Sequence, residues 1–133
     1  MKAIIAVNNL GFIGKGDKLL WSCPDDLHHF KQLTINSSCL VGYRTYYGLP
    51  SLPNRTLMLD DRNHYRFDWD WCIGGRKTYE KYCSFFDELH ISHIDDDTIG
   101  TVTFPDLTNL KPDCKIFNYN FKIYGRKINS EVR

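Results

Sequence analysis

Two apolar runs end in glycine and pass straight into helix-like segments: LVGYRT at 40–45 and IGGRKT at 73–78. Buried strands that feed helices through tight glycine turns need those helices laid against the faces of a sheet. The chain therefore reads as α/β with a mostly parallel central sheet. KAIIAV (2–7), SCLVG (38–42), TLMLD (56–60) and DWCIGG (70–75) fit as short apolar strands without helical period. Residues 24–34 read as a helix opened by Pro24, YRTYYGL as a short helix stopped by Pro50, and RKTYEKYCSFF as a helix after the glycine pair. ELHISHID (88–95) and CKIFNYNFKIYGR (114–126) alternate, and the second is expected as an antiparallel C-terminal strand with one wet face. The length, 133 residues, suits one domain spanning 1–133.

The same two turns carry chemistry. Each presents a helix start beside a strand's carboxyl end, with Thr45 or Thr78 hydroxyls and with Arg44, Arg76 and Lys77 for charge. Amide donors, hydroxyls and cations together suit phosphate, and two such turns on a chain without GxGxxG suggest a dinucleotide held between them.

Charge excludes other partners. Seventeen basic against sixteen acidic side chains leave +1, with the basic residues scattered, so neither nucleic acid nor an anionic membrane is expected as a partner. No apolar run approaches the length of a membrane span. Five cysteines form no CxxC pair and no secretory leader precedes the first strand, so they read as reduced thiols in the cytoplasm. His28 and His29 are consecutive, and His90 and His93 alternate on a strand, so no metal site is expected.

The segment PDDLHHFKQLT places Asp26, Phe30 and Leu33 on one helical face, while Asp25, His28 and His29 lie toward the flank. Asp25 suits the first helical turn as an ordinary acid beside free amides. Asp26 points with the apolar residues, where lost hydration raises its proton affinity and a hydrogen-bonding or cationic ring would be its natural partner.

In family order, IIAV (4–7), IGKGDKLLWSCPDDLHHFKQLT (13–34), LVGYRTYYGLPSLPNRT (40–56), IGGRKTYEKY (73–82), LHISHID (89–95) and FPD (104–106) resemble dihydrofolate reductase. The resemblance implies a dihydrofolate-reductase-like fold and reduction of 7,8-dihydrofolate by NADPH. Asp26 would hydrogen-bond the pterin N3 and 2-amino group and promote protonation at N5. Ile4, Ala6, Leu27, Phe30, Leu49 and Ile73 would line the substrate pocket, Ser92 would bridge to the acid, and Trp21 would hold water near it. Arg55 would pair with the substrate's glutamate carboxylate. Ala6, Ile13, Gly14 and Leu19 would meet the cofactor from the first strand and the loop 10–20, which folds over the nicotinamide. Gly42, Tyr43, Arg44 and Thr45 from one turn, and Gly74, Gly75, Arg76, Lys77, Thr78 and Tyr79 from the other, would complete its site, with a cis Gly74–Gly75 peptide. Diaminopyrimidine antifolates would bind, and the enzyme would be a monomer.

The chain departs from the pattern between the third strand and the glycine pair, where DDRNHYRFDWDW (60–71) replaces the strand and helix that flank the cofactor's adenosine. Such trimming suggests a compact, bacteriophage-like genome. Tyr43 stands where a basic residue often meets the 2′-phosphate, and Asp60 and Asp61 would repel it, so NADH should be tolerated, with Arg44, Arg62, Arg66 and Lys77 in partial compensation. The alternatives are a related pterin or pyrimidine reductase of the same fold, and a non-catalytic folate-binding or structural protein that has lost cofactor affinity.

Overall fold

A computed structural model describes residues 1–16, 20–49, 52–61 and 63–123. The chain begins with β1 (Lys2–Asn8) and a short β2 (Phe12–Gly14), followed by α1 (Pro24–Thr34), β3 (Ser38–Val41) and α2 (Tyr43–Gly48). Then come β4 (Thr56–Leu59), β5 (Trp71–Cys72), α3 (Arg76–Tyr82) with a 3-10 turn at Cys83–Phe85, β6 (Glu88–Asp95), β7 (Val102–Thr103) and β8 (Lys115–Lys122). Six strands form the main sheet in the order β4-β3-β5-β1-β6-β8, and β2 pairs with β7 in a separate ribbon.

Both faces of the sheet are covered, which explains the unbroken apolar run in β1. Ala3 and Ile5 point into one core with Leu40, Cys72, Tyr79, Tyr82, Phe86 and Leu89. Ile4 points the other way, into a second core with Cys39, Val41, Trp71 and Ile73, over which Phe30 and Leu33 of α1 pack. A third cluster joins Trp21, Cys23 and Ile94 to Ala6 and Phe121. All five cysteines are free thiols, four of them buried.

Helix α1 starts where Pro24 permits it and carries Asp25 and Asp26 in its first turn and Lys31 in its last, which complements the helix dipole. Its buried Thr34 hydroxyl donates to the Phe30 carbonyl at 2.8 Å, which satisfies that side chain inside the core.

The C-terminal strand differs from the antiparallel expectation. β8 runs parallel to β6, in register from Glu88 opposite Lys115 to Asp95 opposite Lys122. Alternation along 114–126 reports one wet face, which a parallel edge strand satisfies equally well. The long connection through β7 brings the chain back to the starting end of β6 before β8 begins. The antiparallel pairing present is that of β2 with β7, both too short to stand out in sequence. Just before β7, Gly100 allows the close approach, since a β-carbon there would lie 2.5 Å from the Gly14 carbonyl oxygen.

Candidate active site

The parallel register sets Ile4 beside His90 and Ala6 beside Ser92, and β8 extends these rows with Phe117 and Tyr119. Helix α1 lies over this face, and its first turn holds Asp26 half-buried above it. Burial raises the Asp26 pKa from its ordinary value, while the Ser92 hydroxyl and the positive charge available to His29 pull it part of the way back. Ser92 Oγ is buried and has no hydrogen-bond partner among the described residues. Asp25 is exposed.

Around Asp26 the expected lining separates into depths. Ile4, Ile73 and Trp21 are buried, Ala6, Phe30 and Leu49 are half-buried, and Leu27 is exposed at the rim. Arg55 follows a turn in which Asn54 has a positive φ of 61°. The guanidinium of Arg55 is half-buried, its Nε is enclosed without a hydrogen-bond partner, and its charge opposes the burial that lifts the Cys39 thiol to about 11. Two polar groups, Ser92 and Arg55, are therefore desolvated with hydrogen-bonding capacity to spare, as a site for a polar ligand requires.

Tyr79 of α3 reaches under β1 and donates its hydroxyl proton to the Ile4 carbonyl at 2.6 Å. Burial holds its pKa well above the ordinary value. The phenol thus keeps its proton and ties α3 to β1 through the Ile4 carbonyl.

The two glycine turns meet one another. The Gly42 amide donates to the Gly74 carbonyl, and the Gly74–Gly75 peptide is cis. A β-carbon on Gly42 would lie 2.5 Å from Thr78 Oγ1, and one on Gly75 would lie 2.6 Å from Thr45 Oγ1. Each turn is shaped by the other's threonine. Tyr43, Arg44, Arg76 and Lys77 are exposed around this cradle, and Tyr43 packs its ring edge-on against Tyr47 at 5.0 Å. Ile13 is half-buried and Gly14 buried in β2, whose carbonyl at Gly14 accepts from the Thr101 amide at 3.0 Å. Leu19 and Arg62 lie outside the described residues.

Asp60 is an engaged acid, in contrast with the free repulsive charge expected at this strand end. Lys81 Nζ bonds both its carboxylate oxygens at 3.1 Å and also the carbonyls of Asp61 and His64 at 2.6 Å. The Tyr82 hydroxyl donates to Asp60 at 2.7 Å and accepts the Arg66 amide proton at 2.9 Å. This staple fixes the loop that replaces the expected strand and helix. Asp61 keeps an exposed contact with His64 at 2.7 Å. Nothing local in the sequence links Lys81 to Asp60. His29 lies on the flank read for it, and β8 covers that flank.

Fold and site together define an α/β reductase-type domain, with a desolvated acid over one face of a parallel sheet and a double glycine cradle at the carboxyl ends of two strands. The family model for dihydrofolate reductase matches residues 1–70, and the chain belongs to that family. It is 26% identical to a type 1 dihydrofolate reductase of Escherichia coli over 95% of this chain and 98% of the relative. With a type 5 enzyme of the same organism it shares 31% identity over 74% of this chain and 77% of the relative. Among solved structures, dihydrofolate reductase from Enterococcus faecalis in complex with NADP(H) and RAB-propyl superposes with a TM-score of 0.70 at 26% identity, covering 80% of this chain and 77% of that one.

Proposed function

We infer that this chain is an NADPH-dependent dihydrofolate reductase, converting 7,8-dihydrofolate to 5,6,7,8-tetrahydrofolate. The observation that carries the reading is Asp26, a carboxyl whose proton affinity is raised by burial on the α1 face, with Ser92 beside it. A flat pterin offers that carboxyl the ring N3 and 2-amino donors that burial withholds. Holding the pterin there, Asp26 favours protonation at N5, the step that readies the ring for reduction.

The residues fit the cofactor. Gly42 and Gly75 let the two turns close on Thr78 and Thr45, which sets two helix starts side by side, and Arg44, Arg76 and Lys77 supply exposed charge beside them. When bound, NADPH supplies the hydride for C6 of the pterin. Gly42, Thr45, Gly74, Gly75 and Thr78 would hold it, with Ala6, Ile13 and Tyr79 toward the nicotinamide. Trp21 and the β2 loop would keep bulk water from the acid. Arg55, with spare hydrogen-bonding capacity, would take the glutamate carboxylate, which favours a folate over a pterin or pyrimidine lacking that tail.

Lys81 neutralises Asp60, so the case for NADH tolerance narrows to Tyr43, Asp61 and the trimmed segment. Antifolate diaminopyrimidines would bind through a protonated ring paired with Asp26. The enzyme would act as a monomer in the cytoplasm, and its trimmed segment accords with a phage-encoded form. No helix among the described residues is long and apolar enough to cross a membrane. The test is loss of nicotinamide absorbance with dihydrofolate, NADPH and NADH run in parallel. Turnover with NADPH is expected, and a folded protein that binds an antifolate yet turns over neither cofactor would overturn the reading.

A further inference from the structure

His29 follows Asp26 by one helical turn on α1, and its imidazole is half-buried against β8. Its ring centroid lies 4.1 Å from that of Tyr119 and 5.4 Å from that of Phe121. Nε2 is enclosed without a hydrogen-bond partner among the described residues. Behind it, the Tyr119 hydroxyl meets His90 Nδ1 at 2.9 Å, and His90 Nε2 meets Glu88 Oε1 at 2.9 Å. The reduction as derived above gives this enclosed imidazole no task.

We propose that His29 is a positioning residue for the reaction, a charge partner of Asp26 that makes the site titrate as a carboxyl–imidazole pair instead of a lone acid. The groups facing His29 are Asp26 on its own helix, His90 from β6 and the Tyr119 phenol from β8, with Phe121 as apolar packing. Burial lowers the His29 pKa, Asp26 raises it, and His90 lowers it. Wherever His29 carries its proton, Asp26 titrates facing an imidazolium. That charge keeps the carboxylate ionised to lower pH than burial alone would allow. The pH at which the pterin-facing carboxyl holds a proton is thus set by a residue outside the pterin contacts.

The inference rests on the reductase reading, and its experiment separates the two. Carbon-13 NMR of carboxyl-labelled aspartate follows Asp26 in the whole protein, with histidine ring signals followed in parallel and no turnover required. In the parent protein the Asp26 signal should show a second inflection at the pH where His29 titrates, and a single-step curve would overturn the proposal. His29→Gln should raise the Asp26 midpoint by about half a pH unit, and His29→Lys should lower it by a similar amount, the size of a partly screened charge pair. The kcat/KM profile with dihydrofolate should move in the same two directions. Shifts of one sign in both variants, or none, would refute it. Coupled titration without turnover would instead remove the activity and leave the pair.

Discussion

Replacing Lys81 by methionine keeps the side chain's length and removes its ammonium, which isolates the staple that holds residues 60–66. Lys81 and Asp60 side chains are 15% and 9% exposed, so this is a largely buried pair. Without the ammonium, Asp60 keeps the Tyr82 hydroxyl, and the Asp61 and His64 carbonyls lose their shared donor. Breaking a buried pair from one side costs about 3 to 5 kcal/mol. Residual access to water trims this, and we expect about 2 to 4 kcal/mol for Lys81→Met. Asp60→Asn in the same background removes the stranded charge and should recover roughly 1 to 2 kcal/mol, so the cycle is non-additive. Urea unfolding followed by tryptophan fluorescence reads all four corners. A loss below about 0.5 kcal/mol for Lys81→Met, typical of a surface pair, or additive single effects, would refute the staple.

Other outcomes follow from single sites. Asp26→Asn should cut turnover at neutral pH by on the order of 100-fold or more while leaving the urea midpoint near the parent's; little loss of rate would remove the carboxyl from the mechanism. Gly42→Ala sets a β-carbon against Thr78 Oγ1 at 2.5 Å and the Gly75 amide at 3.3 Å. It should lower the melting temperature by about 5 °C or more, and an unchanged melt would show that the two turns are not packed as described. Asp87 is held at about 2, against 3.8 ordinarily, by the Lys111 ammonium and the Met1 amino group. A depressed carboxyl stabilises the fold above its unfolded pKa and loses that contribution as pH falls from about 4 toward 2. Because its side chain is 59% exposed, Asp87→Asn should cost below about 1 kcal/mol at pH 7, and the gap to the parent should narrow steadily as pH falls from about 4 toward 2; a gap independent of pH would refute the pairing.

The residues that could be read in sequence are those whose environment is local. Pro24 and the spacing of Asp26, Phe30 and Leu33 give α1 its span and its apolar face, because a helix turns by a fixed angle per residue. The runs in β1 and β3 are apolar on both faces and declare burial directly. The expected strand at 70–75 reduces to Trp71–Cys72, since Ile73 and the glycine pair belong to the turn that shapes the cradle. The direction of β8 was hidden because alternation records which side chains meet water and says nothing about which way the chain runs. One consequence reaches the site: β8 brings Tyr119 and Phe121 over His29 and encloses a group that helical geometry alone leaves on an open flank. The Asp60 error has the same origin, since a strand-end acid reads as free charge until a lysine 21 residues away is folded onto it.

The glycines of the two turns show how a local signal can be right for a non-local reason. Gly42 takes a φ of −71°, a value open to every residue, so the turn at α2 does not itself demand glycine. What excludes a side chain there is Thr78 from the other turn, just as Thr45 excludes one at Gly75. Reading each strand–glycine–helix junction as a separate phosphate turn therefore underestimates the constraint. The two junctions are one packing unit, and a larger residue in either would separate the pair of turns on which the cofactor reading rests. Loss of the cradle should then follow from a larger residue at either glycine, because the separation of the turns is set by contact between threonine and glycine at the carboxyl ends of the two strands.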